Sequence, residues 1–296
     1  RDPGAHPAGS DYSLGEATGD GCADLVVRWL PGTGGTRVTL WESDGTGFRR
    51  SASQDADWED LSTSIRLSLN VMGDDRSDLV VLQRLPGVDA LTSDYSAWLS
   101  TWSPRDDGSW DVSQQGLGIW AQQVALLGGH ADGDGRPDLL RIWQDDQGEL
   151  QLTLWRSQGG HFAAAETIPL GSPRLRQQFL AADVDHDGLD DLVQIWRDSW
   201  NQAVATTWHW DGAGGSWSTD SVLGTWIDDA HHILLRYASG QSDLVRSTVE
   251  ASGVATLEVW NYRNGFVVGS RDSQPSTAGS PPPMHFVQAA QQVDDT

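Results

Sequence analysis

The sequence contains an internal repeat, and this repeat restricts the possible folds more than any local pattern does. An aspartate followed by leucine and further aliphatic residues occurs five times, at successive spacings of 54, 60, 53 and 52 residues. In four copies a tryptophan follows 17 residues after this anchor aspartate, and in all five an aromatic residue follows a turn. The anchors are Asp24, Asp78, Asp138, Asp191 and Asp243; the tryptophans are Trp41, Trp155, Trp208 and Trp260, with Trp102 displaced by an insertion; the later aromatics are Phe48, Trp110, Phe162, Trp217 and Phe266.

Each repeat has the pattern of four short strands. In the fourth repeat, 178–182 and 192–197 are apolar runs, and 203–210 alternates with period two before the glycine-rich turn 212–215. No stretch shows helical periodicity. Four-stranded units of about 40 to 50 residues that cannot bury both faces alone stack radially into a propeller. The sequence therefore predicts an all-β fold, a β-propeller of four-stranded antiparallel blades, with five blades visible.

The predicted domain boundaries follow from the same repeat. The propeller is expected over 11–268, a Gly/Ser/Pro-rich linker or loop over 269–283, and an extra inner strand or the start of a further blade over 284–296. A further blade is favoured over simple closure of the ring, because an unpaired innermost strand leaves an exposed edge. The five blade repeats are expected at about 11–50, 64–113, 123–165, 177–219 and 230–268.

Composition excludes several classes of partner. The 42 acidic and 19 basic residues give a net charge of -23, which repels phosphate backbones and anionic lipid, so neither nucleic acid nor a membrane surface is an expected partner. No apolar run approaches the roughly 18 residues of a membrane span, and no membrane insertion is expected. The single cysteine, Cys22, cannot form an internal disulfide. The chain opens at Arg1 without a methionine or a signal peptide, which predicts a processed or trimmed start.

The most informative short motif is the stretch 183–191, which reads DVDHDGLDD. Aspartates occupy positions 1, 3, 5 and 9 of this loop, and a glycine at position 6 allows a sharp turn. Carboxylate oxygens at this spacing, together with a backbone carbonyl at position 7, are typical ligands of one Ca²⁺ ion. The predicted ligands are Asp183, Asp185, Asp187, Leu189 through its carbonyl, and Asp191.

Two other interpretations of this motif were weighed. An EF-hand also begins D-x-D-x-D-G, but it needs glutamate at position 12, where this chain has Gln194, and a following helix, where this chain has a strand pattern. A turn without metal is the second alternative. Calcium is favoured over it, because clustered carboxylates repel one another in a tight loop.

The other repeats carry weaker versions of the same loop. The second has Met72 at position 3 and Asp75 in place of glycine, and the fifth keeps only Asp243, so both are predicted to be metal-free turns. Graded loss of this kind is typical of structural calcium rather than catalytic calcium. The weaker candidate ligands are Glu16, Thr18, Asp20, Cys22 and Asp24 in the first repeat, and Asp132, Asp134, Arg136 and Asp138 in the third, where position 1 is His130, a poor calcium ligand.

These loops carry a family resemblance. The repeated D-x-D-x-D-G-x-x-D-L-V loop, followed by a glycine-rich turn and an aromatic residue, resembles the FG-GAP/VCBS repeats of integrin-alpha-like β-propellers, over roughly Tyr12 to Phe266. The resemblance implies an extracellular or cell-surface location and metal-stabilised blades. It does not fix an activity, because this fold serves adhesins, lectins, toxin subunits and some polysaccharide lyases.

Two groups among the 16 tryptophans have different expected roles. Those that stand 5 or 17 residues after an anchor aspartate are expected to fill the wedge between blades. A second group, Trp58, Trp120 and Trp226 in the connections between blades and Trp200 in a polar turn, suits stacking against a sugar, as in propeller lectins with pockets between blades. Sealing of the joints between blades is the favoured interpretation of this second group, and sugar binding is the alternative.

Catalytic signatures are missing from the sequence. It contains no H-E-x-x-H zinc motif, no G-x-S-x-G elbow and no phosphate-binding P-loop, and nothing singles out a pair of acids for glycoside cleavage. The sequence therefore predicts an extracellular, calcium-stabilised binding or adhesion module, with carbohydrate as the favoured ligand. A non-catalytic scaffold that binds protein within a larger secreted assembly or toxin is the alternative, and a polysaccharide-processing enzyme is the third possibility.

Overall fold

The structure is a computed structural model, and it describes residues 11–29, 36–56, 64–86, 95–119, 122–211, 216–236, 242–249, 254–263 and 265–275. These residues form twenty β-strands in five antiparallel four-stranded sheets, and the strands of each sheet are consecutive in the chain. The described part of the chain contains no helix that is long and apolar enough to cross a membrane. The predicted all-β propeller of four-stranded blades is confirmed.

Each blade runs from an inner to an outer strand. Blade 1 contains β1 (Asp11–Gly15), β2 (Asp24–Trp29), β3 (Thr36–Ser43) and β4 (Phe48–Ala56); blade 2 contains β5 (Ile65–Leu69), β6 (Asp78–Pro86), β7 (Tyr95–Pro104) and β8 (Trp110–Ile119); blade 3 contains β9 (Gln122–Gly129), β10 (Asp138–Gln144), β11 (Leu150–Ser157) and β12 (Phe162–Gly171); blade 4 contains β13 (Leu175–Ala182), β14 (Asp191–Arg197), β15 (Gln202–Trp210) and β16 (Ser216–Thr225); blade 5 contains β17 (His231–Arg236), β18 (Ser242–Val249), β19 (Val254–Tyr262) and β20 (Phe266–Pro275).

The outer strands extend beyond the predicted repeat boundaries. In blade 5, β20 continues to Pro275, so residues 269–275 of the expected linker are strand, paired with β19 through contacts such as Leu257 with Asp272. Gly269 and Ser270, at the start of this segment, are exposed. Hydrophobic periodicity does not reveal a strand whose sequence is polar throughout. Residues 276–296, including the predicted inner strand 284–296, lie outside the described residues.

The core lies between blades rather than within one sheet. Four hydrophobic clusters each join two consecutive blades, and strand β14 is buried on both faces because blade 4 lies between blades 3 and 5. The tryptophan 17 residues after the anchor, or its displaced equivalent in blade 2, packs at these joints: Trp102 and Trp260 are buried, and Trp155 and Trp208 are half-buried against a cluster. The predicted packing between blades is confirmed for Trp155, Trp208 and Trp260. Trp102, which the displaced spacing left without such a prediction, packs at a joint as well, and Trp41 is half-buried.

The loops between the first and second strands of blades 1 to 4 all lie at one end of the blades, here called the loop end. They are loop 1 (16–24), loop 2 (70–78), loop 3 (130–138) and loop 4 (183–191). The opposite end, which carries the turns between second and third strands, is called the turn end. Neighbouring loops are linked by backbone hydrogen bonds: Ser77 N–H donates to the Glu16 carbonyl, and Asp190 N–H donates to the His130 carbonyl at 2.7 Å.

The loops also stack in a regular way. Position 4 of each of loops 1 to 3 is a glycine, and the side chain at position 7 of the following loop lies over it. A Cβ at Gly133 would lie 3.5 Å from Leu189 Cδ2, and a Cβ at Gly19 would lie 3.6 Å from Arg76 Nε. Arg136 lies over Gly73 in the same manner. Each of loops 1 to 3 is therefore covered by a side chain from the next blade.

Candidate metal centre

Loop 4 brings its alternating carboxylates together. Oxygen atoms of Asp183, Asp185 and Asp187, at positions 1, 3 and 5, lie within 4.8 Å of one another. The chain reaches this arrangement by adopting positive φ at position 4, His186 (71°), and at position 6, Gly188 (91°). A left-handed conformation is easy for glycine but uncommon for histidine, so the loop backbone is closely specified.

Hydrogen bonds from the loop backbone hold these carboxylates in place. Asp183 Oδ1 accepts the N–H of His186 at 2.7 Å and its Oδ2 accepts the N–H of Gly188 at 3.2 Å. Asp187 Oδ1 accepts the N–H of Leu189 at 2.8 Å. These hydrogen bonds fix the carboxylates within the loop, which lowers the entropic cost of binding an ion.

The anchor Asp191 is the most buried of the four carboxylates. Its Oδ2 accepts the N–H of Val184 at 3.1 Å, and its Oδ1 lies 2.8 Å from His209 Nδ1. Burial raises the pKa of Asp191 to about 6. Burial disfavours the ionised form of this carboxylate, and a bound cation would stabilise that form.

His209 is a member of the site that the sequence analysis did not identify. Its Nδ1 also lies 3.2 Å from Asp185 Oδ2, and its Nε2 lies 2.6 Å from the Tyr262 hydroxyl of blade 5. Burial lowers the pKa of His209, but the hydrogen bond to Asp191 and the nearby carboxylates raise it by more, so the pKa lies above its ordinary value. His209 therefore connects the loop to the next blade and partly compensates its charge.

The repeat itself contained the signal for His209. It stands 18 residues after the anchor aspartate, and the residue at the same position in blade 3 is Arg156. Arg156 Nε lies 3.7 Å from Oδ2 of Asp132, which is position 3 of loop 3, as Asp185 is of loop 4. A basic residue at this position in two of the repeats was the signal available in the sequence.

Comparison with known proteins agrees with the repeat structure. Residues 131–193, which run from loop 3 to the start of β14, match the family described as FG-GAP-like repeat. The chain is a β-propeller with FG-GAP-like repeats. No curated protein matches the chain significantly.

Solved structures resemble this propeller in fold. A triple arginine-to-alanine variant of AofleA from Arthrobotrys oligospora is 10% identical with a TM-score of 0.51, and the match covers 92% of this chain and 76% of AofleA. An asparagine-to-glutamine mutant of the Aleuria aurantia lectin in complex with alpha-methyl-L-fucoside is 11% identical with a TM-score of 0.48, and the match covers 91% of this chain and 80% of the lectin. The likeness to AofleA shows the fold alone.

Loops 1 to 3 of the FG-GAP-like repeats keep the backbone of loop 4 even where ligands differ. Positions 4 and 6 have positive φ in all four loops. In loop 2 these positions are Gly73 and Asp75, although Met72 occupies position 3. The fold therefore specifies the loop conformation independently of the ligand set. The fifth loop contains residues 237–241, which lie outside the described residues.

Loop 1 retains a partial oxygen set. Glu16 Oε1 accepts the N–H groups of Thr18 and Gly19, at 3.0 and 2.7 Å, while its Oε2 is buried without a hydrogen-bond partner in the described chain. Asp20 Oδ1 is engaged by the N–H of Cys22, and Asp24 accepts the N–H of Ala17. The buried, unpartnered oxygen of Glu16 fits a cation ligand.

In loop 3 a protein side chain balances the charge of the carboxylates, and the loop lacks a complete set of metal ligands. Arg156 lies beside Asp132, and Asp134 Oδ1 accepts the N–H of Arg136 at 2.8 Å. The anchor Asp138 accepts the N–H groups of Ala131 and Ser157. Among the residues that the structure describes, loop 4 is the one whose carboxylates form a three-member cluster, with Asp183, Asp185 and Asp187.

The candidate sugar-binding tryptophans are distributed differently. Trp200 lies at the turn end and is 81% exposed. Trp226 is half-buried against the cluster between blades 4 and 5, and its Nε1–H donates to Asp228 at 3.0 Å. The Trp226 backbone N–H donates to the Asn201 carbonyl at 2.9 Å, which places the two tryptophan segments side by side. Trp58 and Trp120 lie outside the described residues.

The anchor of loop 2 gives a prediction for pH dependence. Burial raises the pKa of Asp78 to about 6, above the value of 3.8 expected in the unfolded chain. Between these values the folded protein holds the extra proton, so the contribution of Asp78 to stability is full below about pH 4 and is lost as pH rises through about 6. When the pH is raised from 4.5 to 7.5, the free energy of unfolding of Asp78→Asn should increase by about 2 kcal/mol relative to that of wild type.

Urea denaturation of both proteins at the two pH values measures this difference. The matched control is Asp75→Asn, because Asp75 is an exposed carboxylate of the same loop. It measures how the loss of one carboxylate elsewhere in the loop affects stability at the two pH values. A pH-independent difference for Asp78→Asn would show that Asp78 is ionised in the folded protein throughout this range.

Proposed function

We propose that this propeller is an extracellular, calcium-stabilised binding module whose ligand is carbohydrate. The observation that carries the carbohydrate proposal is the position of Trp200, a tryptophan with most of its surface in solvent on an ordered turn. Asp198 Oδ1 accepts the N–H groups of Trp200 and Gln202, at 2.9 and 2.7 Å, and Asn201 adopts a positive φ of 62°. The fold thus holds a large apolar ring out in water.

An exposed indole suits the apolar face of a sugar ring. Tryptophan supplies a large contact area with little conformational freedom to lose, and its ring accepts the C–H face of a pyranose while nearby polar groups meet the hydroxyls. The carboxylate of Asp228 and the side chain of Asn201 lie in the adjoining segments. Trp226, partly open at the same end, extends this surface.

The calcium part of the proposal rests on loop 4. Its oxygen donors match the preference of Ca²⁺ for carboxylates and a carbonyl, whereas Mg²⁺ retains more of its water. Asp187 is exposed and Asp185 is half-buried, so water completes the coordination. Half-open sites of this kind bind at the millimolar calcium found outside cells, which is the support for an extracellular location.

Trp200→Ala tests the carbohydrate proposal. Because the ring is exposed, the variant should shift the melting temperature only slightly, yet it should reduce retention on the polysaccharides that hold the wild type by about tenfold or more. Trp200→Phe, which keeps an aromatic face, should retain part of the binding. Affinity electrophoresis in gels containing each polysaccharide, with calcium, measures retention.

Val222→Ala is the matched control, since Val222 is an exposed apolar residue of the same blade. It should bind as wild type does. Unchanged retention of Trp200→Ala would remove Trp200 from the binding surface. If no polysaccharide or glycan retains the wild type, the carbohydrate proposal is wrong.

Protein binding is the second candidate function. It is favoured by apolar side chains on outer strands, where Trp217, Val222 and Val268 are 48, 59 and 67% exposed. Outer strands also present backbone groups at a sheet edge that another chain can pair with. A stable partner that co-purifies with wild type and is lost in Val268→Asp, without any glycan binding, would favour this function.

A further inference from the structure

A cavity at the loop end, between blades 1 and 2, is separate from both loop 4 and Trp200. It has a volume of about 130 Å³ and is walled by loop 1 and strands β3 and β4 on one side, and by the turn between β7 and β8 on the other. This volume is much more than one water needs, yet it is below the roughly 300 Å³ at which drug-sized sites begin. It is suited to a ligand of one ring.

The repeat explains why the cavity is present at this joint. At the next joint, between blades 2 and 3, Met72 at position 3 of loop 2 reaches the turn before β12, and its Sδ lies 3.0 Å from where a Cβ at Gly160 would sit. The equivalent residues at the first joint are Thr18, which is shorter, and Gly108. A Cβ at Gly108 would have no neighbour closer than 3.8 Å. The methionine side chain therefore reaches across the second joint, whereas the threonine side chain at the first joint is too short to do so.

The polar groups of the cavity carry both signs of charge. Glu42, on the blade 1 side, accepts hydrogen bonds from Arg49 at 2.5 Å and from the Ser51 hydroxyl. Arg76, on the blade 2 side, pairs with Asp106. The Glu42 and Arg76 side chains are 25 and 23% exposed, so both are largely ordered by the joint.

Trp110 supplies the apolar part of the wall. It is 6% exposed, and its indole N–H is buried without a hydrogen-bond acceptor among the described residues. Pro104 and Ala52 line the cavity beside it. Carboxylates that accept hydroxyl protons, a guanidinium that donates to hydroxyl oxygens and an aromatic ring match a neutral sugar, whereas an anion or a cation would meet like charge on one wall.

We infer that the cavity between blades 1 and 2 is a monosaccharide subsite for a neutral pyranose, with Glu42 and Arg76 as its hydroxyl-binding groups. The inference rests on the proposed carbohydrate function but assigns a different place to it. Trp200 belongs to the turn end of blade 4, while this subsite lies at the loop end of blade 1. The two sites can therefore be disabled separately.

The decisive variant introduces at the first joint the methionine that stands at the same loop position at the second joint. Thr18→Met should fill the cavity as Met72 does at the next joint, while Thr18→Ser keeps it open and preserves the hydroxyl. The probes are neutral methyl pyranosides (fucoside, galactoside, mannoside and glucoside) with methyl glucuronate as the charged comparison. Saturation-transfer NMR on the full chain in calcium, followed by titration, measures binding.

At least one neutral methyl pyranoside should bind wild type and Thr18→Ser, and its affinity should fall at least about tenfold in Thr18→Met. Glu42→Gln should weaken the same ligand by about tenfold, because a hydrogen bond to a charged acceptor becomes one to a neutral acceptor. Glu42→Gln keeps the inference testable if Thr18→Met does not fold, and thermal melting identifies that case.

Three results would overturn the subsite. One is pyranoside binding that survives both Thr18→Met and Glu42→Gln, and another is binding of methyl glucuronate alone. The third is a wild type that binds no pyranoside while still being retained on polysaccharide through Trp200. In each case the carbohydrate function stands and only this location fails, whereas loss of all glycan retention would reject the function itself.

Discussion

Trp260→Ala is expected to destabilise the protein by about 3 to 5 kcal/mol, which lowers the melting temperature by about 10 °C. Trp260 is 2% exposed in the cluster between blades 4 and 5, and the Arg246 guanidinium lies 5.0 Å from the centre of its ring. Removing the indole leaves a cavity that two rigid sheets cannot close. The loss therefore includes both the buried area and the residual void.

Thermal and urea denaturation of Trp260→Ala and Trp200→Ala give the comparison. Both substitutions remove the same side chain, but Trp200 is 81% exposed, so its loss should change stability by no more than about 0.5 kcal/mol. Trp155→Ala, half-buried at the joint between blades 2 and 3, should lie between the two. Equal effects of Trp260→Ala and Trp200→Ala would contradict the packing of Trp260 between blades.

Calcium at 100 times its dissociation constant is expected to stabilise the protein by about 2.7 kcal/mol. The ion would bind the folded loop 4, where Asp183, Asp185 and Asp187 converge, and not the unfolded chain. Chelation should reverse the gain. Because burial raises the pKa of Asp191 to about 6, the calcium response should be smaller at pH 5 than at pH 7.5.

Asp187→Ala should abolish most of this response, and Asp74→Ala is its matched control. Asp74 stands at position 5 of loop 2, as Asp187 does in loop 4, but Met72 replaces the carboxylate at position 3 there. Differential scanning calorimetry with calcium and with chelator, supported by metal analysis of the purified protein, gives the result. If the chelator changes neither the melting temperature nor the metal content, calcium does not bind at this loop.

The sequence predicted the fold well because repetition is a property of the whole chain. The anchor aspartates are buried in all five blades, and one residue type that recurs at similar spacing is visible without any knowledge of packing. The spacing of Asp183, Asp185 and Asp187 likewise predicted that their carboxylates meet, because the ligands lie within a single short loop.

Features that depend on two distant segments were not predictable in this way. His209 lies beside Asp191 and Asp185 only because β15 pairs with β14, and Tyr262 reaches it from another blade. Asp190 accepts the N–H groups of Asp183 and His130, so it joins loops 3 and 4. The cavity beside Thr18 required a comparison of two joints in three dimensions.

The independence of loop backbone from ligand set has a consequence for how such proteins change over evolutionary time. Loop 2 keeps positive φ at Gly73 and Asp75 without a full set of carboxylates, held by N–H donors to Asn70 and by the side chain of Arg136. The proposed ion site is therefore an addition to a turn whose backbone the fold already specifies. A lineage can acquire or discard such a site by exchanging single residues at the ligand positions, such as methionine for aspartate at position 3, without a change in the conformation of the turn.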